Sequence, residues 1–267
     1  MTLRVRAPAT TANLGPGFDC AAAALDLWNE VEVREGSARP DPRHIGVRAF
    51  GLVASPEGVE FRWTERIPRA RGLGSSAATI ALGLVAAAQW SGRSLSSEEL
   101  LARGGPLEGH ADNLAACLAG GVCLTWDGRI ARVADTLPLV PVAIVPKRRV
   151  RTAKARLALP PEVPHADASF NVARAALLGA GLASGRASLL APAFDDRLHE
   201  PYRPSRILTA LREALPPGAV GATLSGSGPT VIVWADEAKA CARELRERFP
   251  AEDVLPLRVS AGGAGVA

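Results

Sequence analysis

Residues 67–89, IPRARGLGSSAATIALGLVAAAQ, join a glycine- and serine-rich loop directly to an uncharged apolar run. A helix that is apolar on every side has no face to give to water and must be enclosed. The run from Ser76 to about Gln89 is therefore expected to be a buried helix, with the loop at its N-terminus. At such an end the backbone N–H groups lack partners and the helix dipole is positive. Glycines let a phosphate approach that backbone closely, and serine hydroxyls add donors or a metal ligand. The familiar loop of this kind, G-x-x-x-x-G-K-[S/T], carries a lysine. This one has none, so it belongs to another design. Taken alone, a tight turn packing a helix against a sheet is the competing reading.

Around this element the pattern alternates between strands and helices. LRVRA and WNEVEVRE alternate apolar and polar residues at period two, as half-buried strands do. Between them lies PATTANLGPGFDCAAAALDL, which must turn at Gly15-Pro16-Gly17. Residues 34–66 are rich in Pro, Gly and Arg, with a strand expected near GVEFRW. SSEELLARGG opens with serines and early glutamates, as a helix should. HADNLAACLAGG reads as a short helix closed by Gly120-Gly121, and VCLTW and LVPVAIVP read as strands. Helices are expected around 152–158, 167–180 and 204–215. GATLSGSGPTVIVW reads as strand, turn and strand, followed by the amphipathic helix DEAKACARELRERF and the strand VLPLRVS. The chain of 267 residues suits one large domain or two modest ones. A break before Pro138 divides it into 1–137 and 138–267.

Composition narrows the classes of function. Hydrophobic residues make up 48% and charged residues 22%, the balance of a globular protein. Arg, Gly or Pro interrupts every apolar run well short of the roughly 20 residues of a membrane span. MTLRVRAPAT has no basic region followed by an apolar core, so a cytoplasmic protein is expected. The pI of about 9.2 raises nucleic-acid binding as a question. The net charge of only +4 is spread along the chain, and the densest cluster, PKRRVR, has no interleaved aromatics. No nucleic-acid partner is expected. Cys20, Cys117, Cys123 and Cys241 show no metal-ligand spacing and read as buried, reduced thiols.

Three further segments carry polar groups suited to chemistry. PATTANLGPGFD (8–19) sets Asn13 and Asp19 on either side of a double-glycine turn, where an amide and a carboxylate can grip a small polar substrate. A hairpin capped by the same two side chains is the alternative. LEGHADN (107–113) holds two carboxylates, an imidazole and an amide within a few residues. If a helix starts near Ala111, Asp112 is instead a first-turn partner of its dipole. TLSGSGPT (223–230) is a second Gly/Ser loop between two strands.

Together these segments resemble the GHMP kinase family. IPRARGLGSSA fits that family's ATP-binding signature, and TLSGSGPT is similar to its third motif, in the right order along the chain. Within the family the resemblance is to the homoserine kinase branch. PATTANLGPGFD matches that branch's N-terminal motif, and EGHADN matches its EGHPDN with Ala111 in place of Pro. RTAKARLALP resembles its T-x-x-x-R-x-x-L-P segment, supplying Thr152 and Arg156. DDRLHEPYR resembles its D-x-x-H-x-x-Y-R segment, ending in Arg203. The likeness covers most of the chain and is weakest at 34–66, which is shorter than the family's usual spacing.

The resemblance implies an α+β fold in two parts, an N-terminal domain with the ATP loop and a C-terminal ferredoxin-like domain. It implies transfer of phosphate from Mg-ATP to the side-chain hydroxyl of L-homoserine, on the route to threonine, by a homodimer. Pro68, Arg71, Gly72, Leu73, Gly74, Ser75, Ser76 and Ala77 would hold ATP, with Ser225 and Gly226 reaching across. Mg²⁺ would replace the missing lysine, with Ser76 as its contact from the loop. Some relatives carry a metal-binding Glu where this chain has Ala102, leaving Glu108 as the substitute. Arg156 and Arg203 would clamp the substrate carboxylate. Asp19 would take its ammonium, and Asn13, His110 and Asn113 would orient the remaining polar atoms. Asn113 stands where mevalonate kinases carry a catalytic Asp, which implies positioning without a dedicated base, and Asp112 beside it is the alternative. Thr152 would cap its helix or reach the phosphates, while His199 and Tyr202 would position Arg203. Two rivals stay open: a GHMP kinase for another small alcohol such as mevalonate, and a nucleotide-binding relative without turnover.

Overall fold

The computed structural model describes residues 2–150 and 152–267, with the side chains of 152–154 outside the description. In chain order the first part contains strands β1 (Thr2–Ala12) and β2 (Ala21–Glu35), helix α1 (Ile45–Gly51) and strand β3 (Val59–Thr64). Helices α2 (Ser75–Trp90), α3 (Ser97–Glu108) and α4 (Asp112–Ala119) follow, then strands β4 (Val122–Trp126) and β5 (Arg129–Ala134). The second part runs through β6 (Val140–Val145), α5 (Thr152–Leu157), α6 (His165–Ser184) and α7 (Ala187–Leu190). It ends with α8 (Arg206–Glu213), β7 (Ala219–Leu224), β8 (Val231–Ala235), α9 (Ala238–Arg248), β9 (Asp253–Pro256) and β10 (Gly265–Val266).

The strands form two antiparallel sheets. In the first, β10, β1, β2, β4 and β5 lie side by side, and β3 also pairs with β2. The long β2 shares its outer edge between two partners, Ala21–Ala23 with β4 and Glu30–Glu35 with β3. Strand β1 begins with the alternation its sequence promises, Leu3 and Val5 buried between exposed neighbours, and then turns wholly buried from Ala7 to Ala12. That buried end carries Thr10 and Thr11 into the centre of the molecule. The register shifts at Pro8/Ala9, where proline has no N–H to offer the ladder.

Helix α2 lies inside, as its uncharged sequence requires. Every residue from Ala77 to Ala88 is buried. Small residues make this burial possible: a Cβ at Gly83 would fall 2.1 Å from Gly46 O, so α1 and α2 touch backbone to backbone. Helix α3 starts with the reciprocal cap its sequence announces. Ser96 Oγ accepts from Glu99 N (3.2 Å), and Glu99 Oε2 accepts from Ser96 N (2.7 Å).

The second sheet has the order β7-β8-β6-β9, produced by a β-α-β-β-α-β run. This is the ferredoxin-like arrangement. Val142 and Ile144 of β6 face Leu208, Leu211 and Leu245 of α8 and α9, whereas Ala143 and Val145 join the core of the first part. The sheet is thus covered on both faces, and the continuous apolar run of β6 follows from that position. The chain passes between the sheets over residues 135–139, and β10 returns to pair with β1.

Candidate active site

A cavity of about 480 Å³ opens where the buried end of β1, the start of α2, the start of α4 and the 223–230 loop converge. Its floor is the glycine loop. Gly72 and Gly74 both have left-handed backbones, at φ +83° and +65°. A Cβ at Gly72 would lie 2.4 Å from Ser225 O, and one at Gly74 would lie 1.9 Å from Thr10 Oγ1. Only glycine fits this descent. The first backbone bond of α2 runs from Ala78 N to Gly74 O (2.9 Å), which leaves the amides of Ser75, Ser76 and Ala77 with no partner inside the helix. No side chain caps this end. The walls of the cavity therefore present unpaired donors and a positive dipole end to whatever enters.

The 223–230 loop is bound into this floor. Ser225 Oγ donates to Gly72 O (2.5 Å) and is hydrogen-bonded with Thr11 Oγ1 (2.9 Å). Gly226 N donates to Ala12 O (3.0 Å). Asn13, with φ +73°, donates from Nδ2 to Gly226 O (2.9 Å) and accepts from Asp19 N at Oδ1 (3.1 Å). Both ends of its amide are thus spent inside the protein, although the residue lines the cavity. Leu73 and Ser225 are fully buried, Ala77 likewise, and with Pro68 they stand behind the lining rather than in it.

One side of the cavity is acidic. Glu108 sits at the last turn of α3 with its side chain only 5% exposed, and accepts a hydrogen bond from Ser76 Oγ. Burial pushes its carboxyl above the usual range. His110 Nδ1 lies 3.4 Å from Asp112 Oδ1 and 3.9 Å from Glu108 Oε1, and chiefly Asp112 raises the imidazole's pKa against the effect of burial. Helix α4 begins at Asp112, so this residue occupies the first turn. Its Oδ1 accepts from Asn113 N (2.7 Å), and Asn113 Oδ1 accepts from Thr10 Oγ1 (2.7 Å). No group of three or more His, Cys, Asp or Glu among the described residues could hold a metal ion. The Ser76–Glu108 pair is a two-ligand set beside the free amides, which suits a hard cation that keeps waters and binds phosphate oxygens.

The opposite side carries the arginines. Arg156 makes a two-pronged bond to Asp19, Nη1 to Oδ2 (2.8 Å) and Nη2 to Oδ1 (2.7 Å). Expected to take opposite ends of one substrate, these two side chains here take each other. Arg203 lies deeper and is only 7% exposed. Its Nη1 reaches His199 Nδ1 (3.1 Å) and Gly226 O (3.2 Å), while its Nε is buried without a hydrogen bond. The fully buried His199 bonds through Nε2 to Gly15 O (2.8 Å), so it carries its proton there and accepts from Arg203 at Nδ1. Burial lowers its pKa, consistent with a neutral ring. Both guanidinium groups lie over the Phe18 ring, at 5.7 Å for Arg156 and 5.2 Å for Arg203.

Most of the residues expected from sequence meet in this one cavity: Asn13, Asp19, Arg71, Gly72, Gly74, Ser75, Ser76, Glu108, His110, Asp112, Asn113, Arg156, Arg203 and Gly226 all line it. Thr152 begins α5, and its side chain lies outside the described residues. The family of small-molecule kinases that these motifs suggest is matched directly. Residues 44–121 fit the model for the GHMP kinases N terminal domain and 173–251 that for GHMP kinases C terminal. The chain belongs to the GHMP kinase family. A homoserine kinase of Streptomyces avermitilis is 44% identical over 89% of this chain and 87% of its own length. One from Carboxydothermus hydrogenoformans is 39% identical over 91% and 88%. The crystal structure of homoserine kinase from Cytophaga hutchinsonii superposes with a TM-score of 0.86 at 27% identity, covering 100% and 97% of the two chains.

Sequence reasoning missed two supports of this GHMP kinase site. Asp196 is buried and accepts from His199 N and Glu200 N (2.8 Å each) and from Asn171 Nδ2 (2.7 Å), which fixes the turn that carries Arg203. Glu200, also buried, accepts from Leu224 N (2.7 Å) and pairs with Arg212, tying that turn to the 223–230 loop. Asn171 is one of only four asparagines in the chain, and that scarcity is a usable signal for it. The other omission is the wall formed by Arg43, His44, Ile45 and Glu65, from the Pro-, Gly- and Arg-rich stretch 34–66, and by Arg69 from the approach to the glycine loop.

Proposed function

We propose that this GHMP kinase transfers the γ-phosphoryl group of ATP to the side-chain hydroxyl of L-homoserine, giving O-phospho-L-homoserine and ADP on the route to threonine. One observation carries the reading. A carboxylate, Asp19, and two guanidinium groups, Arg156 and Arg203, stand together at one side of a cavity whose floor is an anion-binding helix end. An amino acid brings an ammonium and a carboxylate on one carbon, and its side chain then projects toward the phosphates. The Nε of Arg203, buried without a partner, is the donor that such a carboxylate would complete.

The amides of Ser75 and Ser76 receive the polyphosphate. Glycines 72 and 74 allow its oxygens to approach the backbone. Ser76 and Glu108 would hold Mg²⁺, which when bound supplies the concentrated positive charge that lysine gives in other phosphate loops. Phosphoryl transfer has a loose transition state, so positioning and electrostatics do most of the work. Thr10 holds Asn113 beside the loop, and Asp112 Oδ1 is spent on the start of α4. We therefore read the site as having no dedicated base, with the alcohol proton leaving on a phosphoryl oxygen.

The test is ADP release by purified protein with Mg-ATP against L-homoserine, D-homoserine, L-threonine, L-serine and mevalonate. Turnover confined mainly to L-homoserine supports the assignment. Turnover with mevalonate instead keeps the family and overturns the substrate. ATP binding without any turnover overturns the enzymatic reading. No helix among the described residues is long and apolar enough to cross a membrane. A cytoplasmic homodimer completes the proposal, and sedimentation of the purified protein tests the dimer.

A further inference from the structure

The cavity contains an ion pair made of the two groups an amino acid would need. Asp19 and Arg156 come from positions 137 residues apart, yet they meet in a two-pronged bond. The Asp19 backbone is held at φ +54° with its N–H bonded to Asn13 Oδ1, which fixes the point from which the carboxylate projects. The hydrogen bonds described for the Arg156 side chain both go to Asp19. Arg203, by contrast, is anchored independently by His199 and Gly226 and keeps a spare donor.

We propose that the Asp19–Arg156 pair is a filter for zwitterions, which any occupant of this subsite must exchange for its own charges. The proposal rests on the amino-acid reading above and sets what that pocket rejects. A carboxylate without an amine must draw Arg156 away from Asp19, and it then leaves the Asp19 carboxylate unpaired beside a like charge. An amine without a carboxylate takes Asp19 and strands Arg156. A molecule with both groups on one carbon replaces one pair by two and strands nothing. Specificity of this kind arises from the penalty on the wrong ligand as much as from contacts with the right one. The pair is partly open to water, with side chains 43% and 38% exposed, so the penalty is modest. Ion pairs in such settings are worth up to about 1 kcal/mol, or roughly fivefold in affinity.

The test is calorimetric binding, with a non-hydrolysable ATP analogue and Mg²⁺ present, of L-homoserine and of 4-hydroxybutanoate, the same molecule without its amine. Asp19→Asn is expected to bind 4-hydroxybutanoate about fivefold more tightly than the unaltered protein. It is expected to bind L-homoserine at least fivefold more weakly. In Asp19→Asn/Arg156→Gln the gain for 4-hydroxybutanoate disappears, because it came from a released Arg156. Unchanged or weaker 4-hydroxybutanoate binding in Asp19→Asn overturns the proposal, as does a gain that survives in the double variant. Should Asp19→Asn fail to fold, Arg156→Gln tests the other half. It is expected to bind 3-aminopropan-1-ol, which lacks the carboxylate, more tightly than the unaltered protein does, and failure to do so refutes the exchange. Absence of L-homoserine turnover in the unaltered protein would sink the substrate assignment instead, a result separate from these binding ratios.

Discussion

Replacing Gly74 by alanine should damage stability and nucleotide binding together. The residue sits at φ +65°, where an L side chain costs about 1–2 kcal/mol. Its Cβ would also lie 1.9 Å from Thr10 Oγ1, far inside contact distance. Thr10 must then move and lose its 2.7 Å hydrogen bond to Asn113, adding roughly 1 kcal/mol. The sum is about 2–3 kcal/mol, read from urea unfolding, together with a raised KM for ATP because the same shift disturbs the cradle. Thr10→Ala alone should cost only the hydrogen bond. In the double variant that bond is already gone and the clash relieved, so it should be about as stable as Gly74→Ala rather than about 1 kcal/mol worse. Full additivity, or a Gly74→Ala protein with unaltered stability and ATP affinity, would refute the steric reasoning.

Other consequences are equally direct. Ser76→Ala and Glu108→Gln should each raise the Mg²⁺ concentration needed for half-maximal rate by about tenfold while shifting the KM for L-homoserine little; an unchanged Mg²⁺ dependence removes both from the metal site. Asp112→Asn keeps an acceptor for the Asn113 amide and should retain activity within about tenfold, whereas loss of a true base costs about 10²–10⁴ in kcat. Burial pushes Glu200 up to about 7, above its ordinary 4.5. The folded state therefore holds a proton that the unfolded state releases between those values, and stability from this group falls as pH rises through that window. Glu200→Gln should flatten the dependence of the unfolding midpoint on pH from 5 to 8, and an undiminished slope would contradict the assignment.

Local signals in the sequence were readable where the physics is local. The cap of α3, the enclosure of α2 and the glycine closing α4 each follow from a few neighbouring residues. The first half of β2 was not legible, because Ala21–Ala24 have little strand propensity of their own and are extended only by pairing with β1 and β4. Helix α1 was lost for a similar reason: it has seven residues, no side-chain cap and an approach to α2 that depends on Gly46 and Gly83. At the site, the residues belonging to contiguous motifs were legible, and their company was not. Nothing near Asp19 announces Arg156, and nothing near Asn13 announces Gly226, 213 residues away.

The seam between Thr11–Asn13 and Ser225–Gly226 has a mechanical consequence. Four hydrogen bonds, Ser225 Oγ to Thr11 Oγ1, Ser225 Oγ to Gly72 O, Asn13 Nδ2 to Gly226 O and Gly226 N to Ala12 O, tie the two parts together directly beneath the phosphate cradle. The tie works as an axle. If the two parts rock, atoms near the seam hardly move while displacement grows with distance from it. Ligands would enter and leave through a rim that breathes, over a floor that holds still while the phosphoryl group changes owner.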